Sequence, residues 1–274
     1  MLFILPDTIR SAGFLTPEEK VYVEERVKKN GTGQLDPLAT GKWKVYQVWE
    51  ALRDPKTWFF FASYFLTQIC NGGLQNFGNL VVDGFGFSPL NTVLFGIPGQ
   101  VVAAISIWGS GWLASRYKNV TTYFIAGVLL PPVIGAAIIY TQDGKGVRLF
   151  GYYLLQTAYA SNPMSLSLLG TNTKGATKKM TATAVLFLGY CAGNMAGPQF
   201  FKSSEAPRYE TGFRAIMSCF ALALVAPLIL RVYLIWQNKS RKSEVAESEG
   251  SVSETTLEEE DITDFEAKGF VYAL

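Results

Sequence analysis

Between Thr57 and Trp236 the chain is a run of six apolar stretches, parted by short turns that carry most of the charge in that region. They cover about 57–80, 90–114, 120–140, 147–169, 180–201 and 212–236. Each is near or above the roughly 20 residues a helix needs to cross a hydrocarbon core. A soluble chain of 274 residues makes one or two domains with charge spread over their surfaces. Here 49% of residues are hydrophobic, and the ionic ones lie outside the long blocks. The strict in–out alternation of a closed barrel does not appear, so the spans are helices. The expected fold class is an all-α membrane protein, a six-transmembrane-helix bundle over residues 57–236. Residues 1–56 read as the end of a truncated membrane helix, MLFILPDTIR, followed by a linker; residues 237–274 read as a disordered acidic tail.

Turn chemistry marks the boundaries. Thr16-Pro17-Glu18-Glu19 opens a linker helix with a capping box, and Asn30-Gly31 closes it. Asp54-Pro55 caps the first span and Ser88-Pro89 the second, while Pro131-Pro132 bends the third. Lys and Arg fill the linker, the turn at Arg116 and Lys118, the Lys174–Lys179 loop and the Lys239–Lys242 run. Alternate loops are poorer in basic charge or balanced by acids, at Asp83, at Asp143 with Arg148, and at Glu205 with Arg208. The positive-inside rule then places both termini in the cytoplasm.

Several function classes drop out. There is no histidine, so the commonest metal ligand and general base are missing. Cys70, Cys191 and Cys219 sit in apolar spans without metal-ligand spacing and read as small buried hydrophobes. No metal, no cofactor, no catalytic residue and no nucleic-acid partner is expected. The tail reads as a solvated segment or as a phosphorylation or sorting segment.

The organising stretch is Asn172–Gln199, a basic loop followed by a long helix of small residues. Gly189, Gly193 and Gly197 recur every four residues, a stripe along which a neighbouring backbone can approach closely. Tyr190 and Asn194 share the next stripe. In the first span Tyr64, Gln68, Asn71 and Gln75 fall on one helical face, with Gly72 and Gly73 weakening the helix among them. The fourth span offers Tyr159 and Asn162 just before Pro163. Polar faces of membrane helices line either a helix seam or a solute cavity; a glycine-weakened helix favours the cavity. Amides and phenols supply hydrogen bonds without fixed charge, as a small carboxylate or ureide requires. No acidic or basic side chain lies at the centre of any span, and Asp83, Arg214 and Arg231 sit near span ends.

The segments FLTPEEK, CNGGLQNF, GFGFSPLNTVLFGIPG, RLFGYYLL, TKKMTATAVLFLGYCAGNMAGPQFF, APRY and DITDFEAK resemble signatures of one family. It is the fungal anion:cation symporter branch of the major facilitator superfamily, the allantoate permease-like transporters. The resemblance implies the carboxy-terminal half of a twelve-helix transporter, lacking its amino-terminal six-helix half. It implies alternating access and proton symport in the complete protein, in the plasma membrane, for small organic anions such as allantoate, nicotinate-like vitamins or short peptides. It places Tyr64, Gln68, Asn71, Gln75, Tyr159, Asn162, Tyr190 and Asn194 beside the solute pathway, and Arg116 and Lys118 in a gating loop. In that loop, GWLASRYK, Ser115 stands where the superfamily has an acid, so an Asp–Arg latch cannot form. A second reading is a half-size, non-transporting membrane protein that pairs with or regulates another half.

Overall fold

The structure, a computed structural model, describes residues 12–29, 43–117, 119–206, 208–247, 261–267 and 270–274. The expected helix stump, the Asn30-Gly31 stop and Lys118 lie outside these residues. The chain runs as α1 (Pro17–Lys29), α2 (Val45–Arg53), α3 (Pro55–Asp83), α4 (Pro89–Arg116), α5 (Thr121–Thr141), α6 (Lys145–Leu155), α7 (Ser161–Thr171), α8 (Ala176–Ala196) and α9 (Glu210–Glu247). Short 3₁₀ turns over Gln156–Ala160 and Gly197–Phe200 join α6 to α7 and follow α8. The described residues are helix and turn throughout, an all-α bundle.

The caps read from the sequence form. Thr16 N donates to Glu19 Oε2 at 2.9 Å and Glu19 N to Thr16 Oγ1 at 3.4 Å, closing the capping box of α1. Asp54 accepts from Lys56 N at 3.0 Å and Ser88 from Asn91 N at 3.4 Å. α5 continues as one helix through Pro131 and Pro132.

By length and composition alone, three helical stretches among the described residues can cross a membrane: 90–116, 121–141 and 210–243. The other three expected spans fall short for visible reasons. α3 carries Gln68, Asn71, Gln75 and Asn76, and α8 opens on Thr177, Lys178 and Lys179. The span expected at 147–169 is divided into two helices of 11 residues each. Pro163 explains that division. It has no N–H for the Tyr159 carbonyl, and its ring crowds that carbonyl, so the backbone tightens into a 3₁₀ turn over Gln156–Ala160.

α3 is central, packed against α8 on one side and α9 on the other. On α9 the buried residues Phe213, Ile216, Phe220, Ala223, Leu230 and Leu234 recur at helical spacing and meet α3 and α5. α4 is peripheral, its Ile105, Trp108 and Trp112 exposed. The cysteines do not share one environment: Cys70 is buried, Cys219 half-buried and Cys191 exposed. The loops sort onto two ends of the bundle. Lys56, Asn172, Lys178 and Arg241 gather at one; Gly86 with Lys145 and Asp143 with Arg208 sit at the other.

The tail departs from the expectation of disorder at its far end. α9 runs on to Glu247, and residues 261–267 and 270–274 are folded against the bundle, with Thr263, Asp264 and Tyr272 buried. The acidic composition is offset there by basic side chains from three helices, described below.

Candidate functional site: an amide cluster between three helices

The small-residue stripe of α8 decides the site's geometry. A Cβ on Gly193 would stand 2.6 Å from the Phe65 carbonyl oxygen, and one on Gly189 would stand 2.9 Å from that of Phe61. From the other side, a Cβ on Gly72 would stand 2.6 Å from the Asn194 carbonyl oxygen. The α3 and α8 backbones therefore touch, and the polar side chains flanking the crossing are brought within hydrogen-bond reach.

Gln68, fully buried, is the hub. Its Oε1 accepts from Asn71 Nδ2 at 2.8 Å and from Asn194 Nδ2 at 3.0 Å. Its Nε2 donates to Asn162 Oδ1 on α7 at 3.1 Å. Asn71 Nδ2 also donates to Asn194 Oδ1 at 3.1 Å. Tyr64 OH donates to the Asn162 carbonyl at 2.7 Å, beside the Pro163 break. One turn along α3, Gln75 Nε2 donates to Tyr159 OH at 3.1 Å. The cluster is uncharged, and each polar group inside it lowers the cost of burying the others.

One atom is left over. Asn71 Oδ1 is buried without a hydrogen-bond partner, and Asn71 lines a cavity of about 20 Å³ with Thr67, Tyr159, Asn162 and Phe220. That volume accommodates roughly one water-sized group. The cavity thus has an unused acceptor in Asn71 and donors in the Asn162 amide and the Tyr159 hydroxyl.

Of the sequence-predicted residues, Tyr64, Gln68, Asn71, Asn162 and Asn194 come together, and Gln75 pairs with Tyr159 beside them. Tyr190 is the exception. Its ring is partly exposed and edge-on to Phe187, and its hydrogen bond to the cluster is made by its carbonyl, which accepts from Asn194 Nδ2 at 2.9 Å. The four-residue spacing that aligned Tyr190 with Asn194 sets a direction along the helix, whereas the approach of α3 sets which of the two is covered. Arg116 is exposed at the end of α4 and has no ion pair among the described residues. Ser115 bonds back to the Trp112 carbonyl at 2.7 Å.

Sequence reasoning missed a second constellation, at the end of the bundle. Asp264 Oδ2 lies 2.5 Å from Lys56 Nζ on α3, and its Oδ1 lies 2.7 Å from Lys178 Nζ on α8. Asp54 Oδ2 reaches the same two lysines at 3.3 and 3.2 Å, and Glu50 Oε1 holds Lys178 at 2.7 Å. Tyr272 OH donates to Asp264 Oδ2 at 2.7 Å, and Arg241 on α9 donates to the Tyr272 hydroxyl and the Asp264 carbonyl, each at 2.7 Å. Burial opposes the Asp264 charge, but Lys56 and Lys178 outweigh it and hold the carboxyl below the ordinary aspartate range. For Lys178 burial is likewise outweighed, by Asp264 and Asp54, and its pKa is raised. For Lys56 burial prevails over Asp264 and Asp54, and the pKa is lowered. The only sequence signal was the resemblance of DITDFEAK to a family signature, because the partners lie up to 208 residues apart in the chain.

Comparison with known proteins agrees with this architecture. The Major Facilitator Superfamily profile matches residues 1–198. An MFS-type transporter of Penicillium expansum is 33% identical over 98% of this chain and 55% of its own length. The allantoate permease of Saccharomyces cerevisiae is 30% identical over 98% of this chain and 51% of its own. The high-affinity nicotinic acid transporter of the same yeast is 28% identical over 96% and 48%. The chain spans about half the length of the curated relatives it matches. No solved structure matches.

Proposed function

The chain belongs to the Major Facilitator Superfamily, and from that premise we propose that it forms one wall of an alternating-access pathway for small organic anions. It is an integral membrane protein from a family of transporters, not of enzymes. The observation that carries the proposal is the amide cluster of Gln68, Asn71, Asn162 and Asn194, with Asn71 Oδ1 buried and unpaired. An uncharged cluster of this kind, centred on the middle of α3, offers both donors and acceptors to a carboxylate, ureide or amide group. Allantoate, nicotinate-like vitamins and short peptides are the solutes this reading covers.

A cavity the size of one water cannot enclose such a solute. The rest of the enclosure, and the titratable group that proton symport demands, are assigned to a partner six-helix half. The ion-paired end with Lys56, Lys178 and Arg241 is assigned to the cytoplasm by the positive-inside rule, with both termini there and the plasma membrane as the host bilayer. The competing reading, a regulatory half that docks through its small-residue stripe, loses its main support: Gly189 and Gly193 are already covered by α3.

The test is uptake of radiolabelled allantoate and nicotinate into liposomes under an imposed proton gradient. The chain alone is expected to give no uptake above empty liposomes, and uptake is expected when it is co-reconstituted with a relative's amino-terminal half. Uptake by the chain alone would refute the one-wall reading. Absence of uptake in both, with folded protein, would refute the solute assignment.

A further inference from the structure

The described residues 261–267 and 270–274 form no helix or strand, yet they reach the ends of most of the bundle. Asp261 Oδ1 accepts from Ala176 N at 2.8 Å, capping the start of α8. Asn172, at the end of α7, exchanges two hydrogen bonds with Ala273, at 2.9 and 2.7 Å. Asn238 on α9 does the same with Tyr272, at 2.9 and 2.8 Å. Thr121 N, at the start of α5, donates to the Leu274 carbonyl at 3.0 Å. One short segment therefore ties together α5, α7, α8, α9 and the lysine at the head of α3.

Among the described residues, Asp264 is the one acid of that segment that ion-pairs with both Lys56 and Lys178, one through each carboxylate oxygen. The two lysines are also roofed by the segment's rings: Lys178 Nζ lies 3.6 Å from the Phe265 centroid and Lys56 Nζ 3.9 Å from that of Tyr272. Without the segment, the ionic link left between the two helix heads is Asp54 to Lys178, at 3.2 Å. The same two helices, α3 and α8, carry Gln68, Asn71 and Asn194. By the helical rise, Gln68 lies about 18 Å along α3 from Lys56. A change of tilt between α3 and α8 at their heads is thus felt at the amide cluster.

We propose that residues 261–267 and 270–274 act as a strap on the access motion: seated, Asp264 holds the heads of α3 and α8 together, and its withdrawal lets that end of the bundle open. This rests on the transporter reading for its purpose but not for its test. The attraction within a buried ion pair is offset in large part by desolvation, so a pair whose members all return to water on separation fits a reversible switch. Removing only Asp264 leaves two lysines facing a reduced set of acids, which draws water to that end.

The experiment uses the full chain in nanodiscs. Amine acetylation at Lys56 and Lys178 is quantified by mass spectrometry against exposed Lys239, and hydrogen exchange is followed in the first turns of α3 and α8. Wild type is expected to protect both lysines. Asp264→Asn is expected to raise their labelling at least tenfold and to speed exchange in both first turns, and excess wild-type peptide of residues 261–274 is expected to reverse both changes. Unchanged labelling overturns the proposal. So does raised labelling with wild-type exchange, because the segment is then a cover and not a strap. If Asp264→Asn does not yield folded protein, Tyr272→Phe, which removes only the hydroxyl shared by Asp264 and Arg241, decides on the same two readouts. None of these outcomes bears on solute uptake, so failure of the strap and failure of the one-wall reading are distinguishable.

Discussion

Asn194 on α8 donates to Gln68 on α3 at 3.0 Å, directly beside the point where Gly193 lets the two backbones touch. The contact and the hydrogen bond depend on each other. Without glycine the helices stand apart and the amides lose each other; without the amides a polar group is left in the seam. The predictions below separate these two contributions.

Gln68→Leu leaves the Asn71 and Asn194 amides and Asn162 Oδ1 short of a partner at once. The Asn71 and Asn194 amides keep one acceptor each, but Asn162 Oδ1 is stranded, and a buried group left so costs about 1–3 kcal/mol. The melting temperature in detergent should fall by several degrees, whereas Asn76→Ala, on the exposed side of α3, should change it little.

Gly193→Ala forces a methyl to within 2.6 Å of the Phe65 carbonyl, so the helices must part. Overpacking of this kind costs about 1–3 kcal/mol. Gly127→Ala on α5 meets nothing within 4 Å and should stabilise by up to about 1 kcal/mol through helix propensity. Thermal melts of the two variants should therefore move in opposite directions. Equal shifts would show that the stripe is not a contact.

Asp264 gives a pH dependence of stated sign. Its carboxyl lies below the unfolded value of 3.8, so its contribution is fully present above that value and is lost as pH falls through the lowered folded value. Wild-type stability should therefore drop on acidification below about pH 4. Asp264→Asn should lack that component, giving a flatter melting profile between pH 3 and 6.

Pro163→Ala restores an N–H that can bond the Tyr159 carbonyl and removes the ring that displaces it. The 3₁₀ turn over Gln156–Ala160 should convert toward α-helix, seen as slower hydrogen exchange at the amides flanking position 163. Tyr159 should then swing away from Gln75, whose hydrogen bond at 3.1 Å depends on the present turn. Unchanged exchange there would mean that tertiary packing, and not the proline, sets the break.

Much of the molecule could be read from local pattern. Apolar blocks located the helices, because length and hydropathy are properties of a segment alone, although the block at 147–169 is two helices and α9 runs on to Glu247. Asp54, Ser88 and Thr16 marked helix starts because a cap is made with the next few residues. The spacing of Gly189, Gly193 and Gly197 announced a close helix contact, and the four polar residues of α3 announced one polar face. What spacing could not say was which helix would lie on the stripe, and hence that Asn194 is covered while the Tyr190 ring is not. Nor could composition reveal that Asp264 sits between Lys56 and Lys178. A charge in an acidic tail looks solvated until the fold brings cations from as far as 208 residues away to surround it. Periodicity and capping are settled by neighbours in sequence; burial and ion pairing are settled by neighbours in space, and only the packed bundle supplies those.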